Sequence, residues 1–205
     1  MTRTLLVTLV TALLATPGAD AQNQPAAAVS PTTQPSAEQQ IAAAVLAAPE
    51  DMRAGATVLG YGPDGHVKLL RQGRGALSCL ATDPKAERFH VACYHRSLEP
   101  FMARGRVLRA RGITGDRVDS VRFAEVRSGK LRVPRHPAAL YSLTGPPDSF
   151  DPATGTALKA RPLFVVYVPF ATGRSMGLST TPVQGAPWIM HPGTPKAHIM
   201  FQPDM

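Results

Sequence analysis

Both cysteines of the 205-residue chain lie in LSCLATDPKAERFHVACYH, residues 77–95, where two apolar runs flank a polar loop. Runs of this length, separated by turn residues, predict two antiparallel strands. If Cys79 opposes Cys93, the same register sets Ala81 opposite Val91, so that these four side chains share one face. The stretch therefore predicts a hairpin whose two strands are joined by a disulfide.

The first 21 residues have the pattern of a secretory signal peptide. Arg3 supplies the positive start, residues 5–15 are apolar, and the small-residue site Ala19-Asp20-Ala21 precedes Gln22. The apolar run is shorter than the roughly 20 residues that span a bilayer, so we expect cleavage and no transmembrane segment afterwards. The expected location is therefore periplasmic or secreted.

Export to an oxidising compartment favours a disulfide between Cys79 and Cys93. The alternative is a zinc site that combines the two cysteines with His90 and His95, but their spacing lacks the paired ligand arms of structural zinc sites. By the chain-entropy estimate, a disulfide that closes a loop of about 15 residues stabilises the fold by roughly 3 kcal/mol. We therefore expect a structural disulfide, no metal and no other cofactor.

The remaining pattern predicts an α+β fold in one domain, residues 36–205, preceded by an uncharged, disordered linker at 22–35. Ser36 and Gln39 form a capping box for a first helix that ends before Pro49. The class is an antiparallel sheet with an N-terminal helix, an Arg-rich middle helical segment and a loop-rich C-terminal half. The expected strands are 57–61, 66–71, 77–82, 89–95, 139–143, 163–168, 188–190 and 199–201, and the later helices are 98–111 and 116–128.

The chain is basic, with 22 Lys and Arg against 14 Asp and Glu, and the excess is concentrated in the middle. Residues 96–135 hold eleven Lys or Arg, ten of them Arg, against four acids. Such a field favours an anionic partner, for which we consider an anionic polymer, a lipid head group or a small ligand. A solvated basic face is the alternative. Specific nucleic-acid binding is not expected, because no recognition motif is present.

Three arginines of the expected helix 98–111 are candidate anion-binding residues. Ser97 is the expected N-cap of this helix and Gly112 its left-handed stop. Arg104 and Arg111 share one face, whereas Arg109 falls within the apolar arc. Its stem can cover the edge of the core, or its guanidinium can meet a carboxylate or a ligand anion. The apolar stripe itself contains Leu98, Phe101, Met102, Gly105 and Leu108.

A second group of candidates lies near the C-terminus. His191 and His198 flank a Pro-Gly-Thr-Pro turn that can bring their imidazoles together, as in an acid–base, metal or aromatic-walled ligand site. With Trp188 and Tyr141 they are the candidate ligand-binding residues. The alternative is that these are structural histidines beside a surface Trp.

The sequence contains no nucleophile elbow, metalloprotease helix, Walker loop or dinucleotide glycine motif, so the familiar enzyme classes lose support. The leading hypothesis is an exported, non-catalytic binding or envelope-associated module with affinity for an anionic partner or a small ligand. The competing hypothesis is an extracytoplasmic enzyme, for example a hydrolase, with its site in the C-terminal loops.

Three segments resemble an uncharacterised family of exported bacterial proteins of similar length. They are the cysteine hairpin, ALYSLTG at 139–145, and GAPWIM at 185–190 followed by GTPKAHIM at 193–200. The resemblance covers most of the chain from about Ala47. It implies a shared fold, and it brings no catalytic residue because the family has no assigned activity.

Overall fold

The computed structural model describes residues 34–202, so the predicted signal peptide 1–21 and most of the predicted linker 22–35 lie outside the described residues. Gln34 donates a hydrogen bond from Nε2 to the carbonyl oxygen of Tyr61, at 2.7 Å. Gln34, which lies within the predicted linker, is therefore hydrogen-bonded to the folded chain. From Gln34 onward the chain belongs to one compact unit.

The observed elements confirm the α+β class, and each expected helix and strand is present within a few residues of its predicted bounds, together with two four-residue helices that were not predicted. No helix within residues 34–202 is long and apolar enough to cross a membrane. In chain order the elements are α1 (Ala37–Val45), α2 (Glu50–Arg53), β1 (Thr57–Tyr61), β2 (Val67–Arg71), β3 (Leu77–Leu80), β4 (Phe89–His95), a 3-10 turn (Arg96–Leu98), α3 (Glu99–Ala110), α4 (Asp116–Arg127), β5 (Ala138–Gly145), β6 (Arg161–Tyr167), α5 (Gly173–Met176), β7 (Trp188–Met190) and β8 (His198–Phe201).

All eight strands of the described chain form one sheet, in the order β2-β1-β3-β4-β5-β6-β8-β7. Neighbouring strands are antiparallel, as predicted, except that β1 and β3 run parallel. The exception arises because the chain leaves edge strand β2 and returns past β1 through residues 72–76. A strand antiparallel to β2 that is laid on the far side of β1 must run parallel to β1.

The cysteine hairpin has the predicted register. Cys79 lies directly opposite Cys93, and the two sulfurs are joined in a disulfide. Ala81 and Val91 are buried in the same core cluster as the two cysteines, which confirms that the four side chains share one face. The cysteines are therefore not available to the alternative zinc site.

Helix α1 covers this side of the sheet, which we call the α1 face. The predicted capping box of Ser36 and Gln39 is present at its start. Gln40, a buried polar residue that the sequence did not single out, fixes the helix to β1. Its side chain accepts a hydrogen bond from the backbone N–H of Tyr61 (2.8 Å) and donates one to the Tyr61 carbonyl oxygen (3.1 Å).

Helix α3 covers the opposite side, the α3 face, where a second apolar cluster contains Tyr94, Leu98 and Tyr167. The predicted apolar stripe of α3 is confirmed, since Leu98, Phe101 and Leu108 are all buried. Gly112, with φ of +78°, follows the helix as predicted.

The prediction that Ser97 is the N-cap of α3 was wrong. A 3-10 turn precedes the helix, so that Leu98 becomes the N-cap residue and makes no side-chain capping bond. The hydroxyl of Ser97 instead lies 2.8 Å from Nδ1 of His95. Pro100 lies in the first turn of α3, where its missing N–H leaves no intrahelical bond unmade.

Loss of the disulfide should lower the free energy of unfolding by about 3 kcal/mol, because the bridge closes a loop with a sequence separation of 14. The measurement is guanidinium unfolding of the wild type and of the double variant Cys79→Ala/Cys93→Ala, each with and without a reductant. The reductant should shift the wild type only, towards the midpoint of the variant. Identical midpoints for all four samples would contradict a structural role for the bridge.

Candidate ligand-binding site

Three of the four C-terminal candidates gather on the α3 face. His198 pairs with Met190 across β8 and β7, His191 follows at once in the chain, and the two imidazole centroids are 5.6 Å apart. Trp188 lies on the same face, two residues before Met190 in β7, and it is buried, so the expectation of a surface Trp was wrong. Tyr141 packs on the α1 face against the disulfide cluster, so the sheet separates it from the other three.

The hydrogen bonding of His198 fixes its tautomer. Its Nδ1 lies 2.7 Å from the carbonyl oxygen of Lys196, which can only accept, so Nδ1 carries the proton and the lone pair is on Nε2. Burial lowers the pKa of His198. The hydrogen bond to the Lys196 carbonyl oxygen raises this pKa, whereas the charges of His191 and Lys196 act in the same direction as burial. His198 is therefore neutral at pH 7.

The two histidines continue into Tyr167. The Tyr167 ring centroid is 5.1 Å from that of His198, and burial raises the pKa of the Tyr167 hydroxyl to about 12. His191, at the other end of this row, is exposed and has a φ of +50°, which is uncommon for a residue other than glycine. Partial burial and then the charge of Lys196 lower the pKa of His191.

A charged cluster adjoins the aromatic row through Lys196. Its ammonium group donates a hydrogen bond to Oδ2 of Asp119, at 2.8 Å, and Arg122 binds the other oxygen of the same carboxylate. Burial opposes ionisation of Asp119, but the hydrogen bonds from Lys196 and Arg122 outweigh it and hold the pKa of Asp119 below its ordinary value. One carboxylate therefore serves two cations.

Arg122 is only 5 % exposed, which is rare for a charged side chain. Its guanidinium lies 4.0 Å from the centroid of the Phe101 ring, and its Nη1 donates to the Phe101 carbonyl oxygen at 3.2 Å. Its Nε is buried and has no hydrogen-bond partner among the described residues. A buried charged group thus retains one unused donor.

A second guanidinium lies beside it, because Gly105 leaves room for both. A Cβ atom at Gly105 would be 3.1 Å from Nη1 of Arg109 and 3.1 Å from Nη1 of Arg122. Within residues 34–202, none of the five ion pairs includes Arg109. Partial burial and then the charge of Arg122 lower the pKa of Arg109. With Lys196, the cluster has three cations for one carboxylate.

The other two arginine candidates do not take part. Arg104 is paired through two nitrogens with the carboxylate of Glu125, which satisfies its charge. Arg111 is exposed at the end of α3. Arg109, which is exposed, is thus the candidate that lies beside the buried guanidinium of Arg122.

Arg122, Asp119 and Lys196 were not among the sequence candidates. The spacing of Asp119 and Arg122, three residues apart on an expected helix, was the one local signal for part of this network. The contact of Asp119 with Lys196 joins residues 77 apart in the sequence, for which no local pattern exists.

In the described part of the chain, no group of three or more His, Cys, Asp or Glu side chains is arranged to hold a metal ion. Comparison with protein-family models, with curated proteins and with solved structures found no match. The resemblance to a family of exported bacterial proteins therefore stays a prediction.

Protonation of His198 should destabilise the fold. The pKa of His198 in the folded chain lies below its ordinary value of 6.5. The contribution of neutral His198 to the free energy of unfolding is therefore fully present above pH 6.5 and is lost as the pH falls through the folded-state pKa. The variant His198→Asn, whose amide can replace the Nδ1 donor, should lose less stability between pH 7.5 and pH 5. The measurement is urea unfolding at both pH values, with the exposed His136→Asn as the control. An equal loss in the wild type and His198→Asn would contradict this assignment.

Proposed function

We propose that this protein binds a small anionic ligand, through a carboxylate or phosphate group, beside Arg109 and Arg122. The observation that carries the proposal is the meeting of two guanidinium groups at Gly105, one of them buried with an unused Nε–H donor. Arg109 contributes a second set of donors without a carboxylate partner among the described residues. Planar guanidinium groups match the oxygens of carboxylates and phosphates, often through two hydrogen bonds each.

The electrostatic balance supports the same proposal. Arg109, Arg122 and Lys196 carry three positive charges, and Asp119 supplies one negative charge to two of them. Two neighbouring cations repel each other most strongly where water is partly excluded. A bound anion would remove this repulsion and would satisfy the remaining donors.

We further propose that binding takes place outside the cytoplasm, in the periplasm or after secretion. The signal-peptide pattern of residues 1–21 supports an exported protein. The Cys79–Cys93 disulfide is compatible with such a compartment. The proposed function is thus non-catalytic binding of an anionic ligand by an exported protein.

An extracytoplasmic hydrolase is the second candidate, and one observation favours it. His198 donates its Nδ1 proton to the Lys196 carbonyl oxygen, which leaves the lone pair of Nε2 available as a base. Turnover of p-nitrophenyl phosphate or p-nitrophenyl acetate that His198→Asn abolishes would favour the hydrolase. Saturable binding without turnover of these esters would favour the binding module.

Replacement of Arg109 by Gln should weaken the binding of inorganic phosphate or acetate about tenfold or more, the cost of losing a charged hydrogen bond. Isothermal titration calorimetry provides the measurement. The control is Arg111→Gln, which removes the same charge from the same helix and should change the affinity less than about twofold. If the two variants weakened anion binding equally, the binding would reflect the net charge of the protein and not a site at Arg109.

Gly105→Ala provides an independent test, because the added Cβ would meet both guanidinium groups at 3.1 Å. Alanine is the better helix former by about 1 kcal/mol, which offsets part of the cost of the close contact with the guanidinium groups, and the affinity for phosphate should fall. Thermal unfolding and calorimetry together measure the two effects. Unchanged affinity would exclude a site at this position.

A further inference from the structure

The two ends of the sheet differ in charge, and the difference becomes visible only when the strand order is known. At one end lie the segments that enter β1, β3, β5 and β8 or leave β2, β4, β6 and β7. We call it the basic end. Six connecting segments reach this end, namely 54–56, 72–76, 96–98, 128–137, 168–187 and 191–197. Segment 168–187 leaves β6 here and enters β7 from the other end.

These segments of the basic end hold seven Lys or Arg residues and no Asp or Glu, and helix α2, which leads into 54–56 at the same end, adds the acids Glu50 and Asp51 and the base Arg53. Six of the seven are exposed, and the seventh, Lys196, is half-buried against Asp119. The residues are Arg74, Arg96, Lys130, Arg132, Arg135, Arg174 and Lys196.

The opposite end has the reverse balance. Its connecting segments 62–66, 81–88 and 146–160 hold five acids against three bases, all of them exposed. The acids are Asp64, Asp83, Glu87, Asp148 and Asp151, and the bases are Lys85, Arg88 and Lys159. The net positive charge is therefore polarised along the strands.

Three exposed apolar side chains lie in, or next to, the connecting segments of the basic end. Phe170 is 51 % exposed, Met176 is 40 % exposed and Met190 is 37 % exposed. Phe170 also has a φ of +67°, which is strained for a bulky side chain. Large apolar groups surrounded by cations are typical of surfaces that enter the interface of an anionic bilayer.

The backbone holds Phe170 in this exposed position. Its N–H donates to the carbonyl oxygen of Thr194 at 2.9 Å, and the N–H of Gly193 donates to the carbonyl oxygen of Ala171 at 2.7 Å. The loop after β6 is thus tied to the turn before β8. The exposed ring belongs to a braced loop tip.

We propose that the basic end docks on an anionic lipid bilayer, with Phe170 inserted at the interface and the surrounding Lys and Arg residues bound to lipid phosphates. Charge complementarity favours an anionic partner, since each basic residue near such a membrane adds attraction. The apolar tip favours a bilayer over a soluble polyanion, which offers no apolar phase for a phenyl ring. This surface is distinct from the Arg109–Arg122 site and shares only Lys196 with it.

The first test measures binding of the full chain to phosphatidylcholine vesicles with and without phosphatidylglycerol. Binding should require phosphatidylglycerol and should weaken as the salt concentration rises. Phe170→Asn, a polar change that tolerates a positive φ, should weaken binding about tenfold. The control Leu158→Asn alters a side chain that is 89 % exposed in segment 146–160, at the opposite end, and should change binding less than about twofold.

A second, charge-matched pair tests the polarity of the surface. Arg135→Glu/Arg174→Glu should weaken vesicle binding at least about tenfold, whereas Lys85→Glu/Arg88→Glu makes the same charge change at the opposite end and should have a far smaller effect. All variants contain the same N-terminal residues, so any difference in vesicle binding between them is caused by the substitutions. Equal unfolding temperatures would confirm that each variant is folded.

Three outcomes would overturn the proposal. They are absent binding to phosphatidylglycerol vesicles, equal losses from the two charge variants, and unchanged vesicle binding by Phe170→Asn. Unchanged binding by Phe170→Asn together with tight binding of soluble polyphosphate would point to a polyanion. Calorimetry with inorganic phosphate reports the Arg109–Arg122 site separately, so failure of either proposal can be recognised without the other.

Discussion

The register between β3 and β4 governs the arrangement of the other elements. Side chains alternate between the two faces of a sheet, so the pairing of Cys79 with Cys93 decides which residues of both strands face α1. The next pairing places Tyr141 of β5 opposite Cys93, and thus on the same face. A shift of one residue would turn the apolar set of each strand towards the wrong helix. The covalent bridge holds this register at the middle of the eight-stranded sheet.

The same alternation creates the polar side of the molecule. Tyr94 and Tyr167 face α3, and α4 packs beside α3 with Arg122 directed into the contact. The cation is accommodated there by the Phe101 ring, a backbone carbonyl oxygen and the Asp119 carboxylate. Asp119 is shared with Lys196, however, so the cluster is not neutral. This incomplete compensation, rather than any known motif, makes the α3 face the best candidate for a ligand site.

Strand order also converts scattered charges into a polarised surface. The bases of residues 128–137 and 168–187 are distant in the sequence. The first segment leads into the start of β5 and the second leaves the end of β6, and these two points are adjacent because Ala138 pairs with Tyr167. The acids of 62–66, 81–88 and 146–160 meet at the other end. A net charge of +8 therefore describes this protein less well than the direction along which its charge is distributed.

The amino-acid sequence determined the features that depend on short-range chemistry. The capping box at Ser36, the stop at Gly112, the cysteine register and the strand positions follow from alternation, helical spacing and turn residues. The α+β class follows from them as well. The N-cap of α3 was wrong at Ser97 because a 3-10 turn shifts the helix start, a change that the local pattern does not encode.

Only the tertiary structure decided the parallel pairing of β1 with β3, the separation of Tyr141 from His198, and the network that joins Arg122, Asp119 and Lys196. Each depends on which segments of the chain become neighbours, and Asp119 and Lys196 are 77 residues apart. Their contact is selected by the packing of whole helices on a whole sheet. Local residue preferences are the same whichever partner the fold supplies, so they determine the elements but not the site.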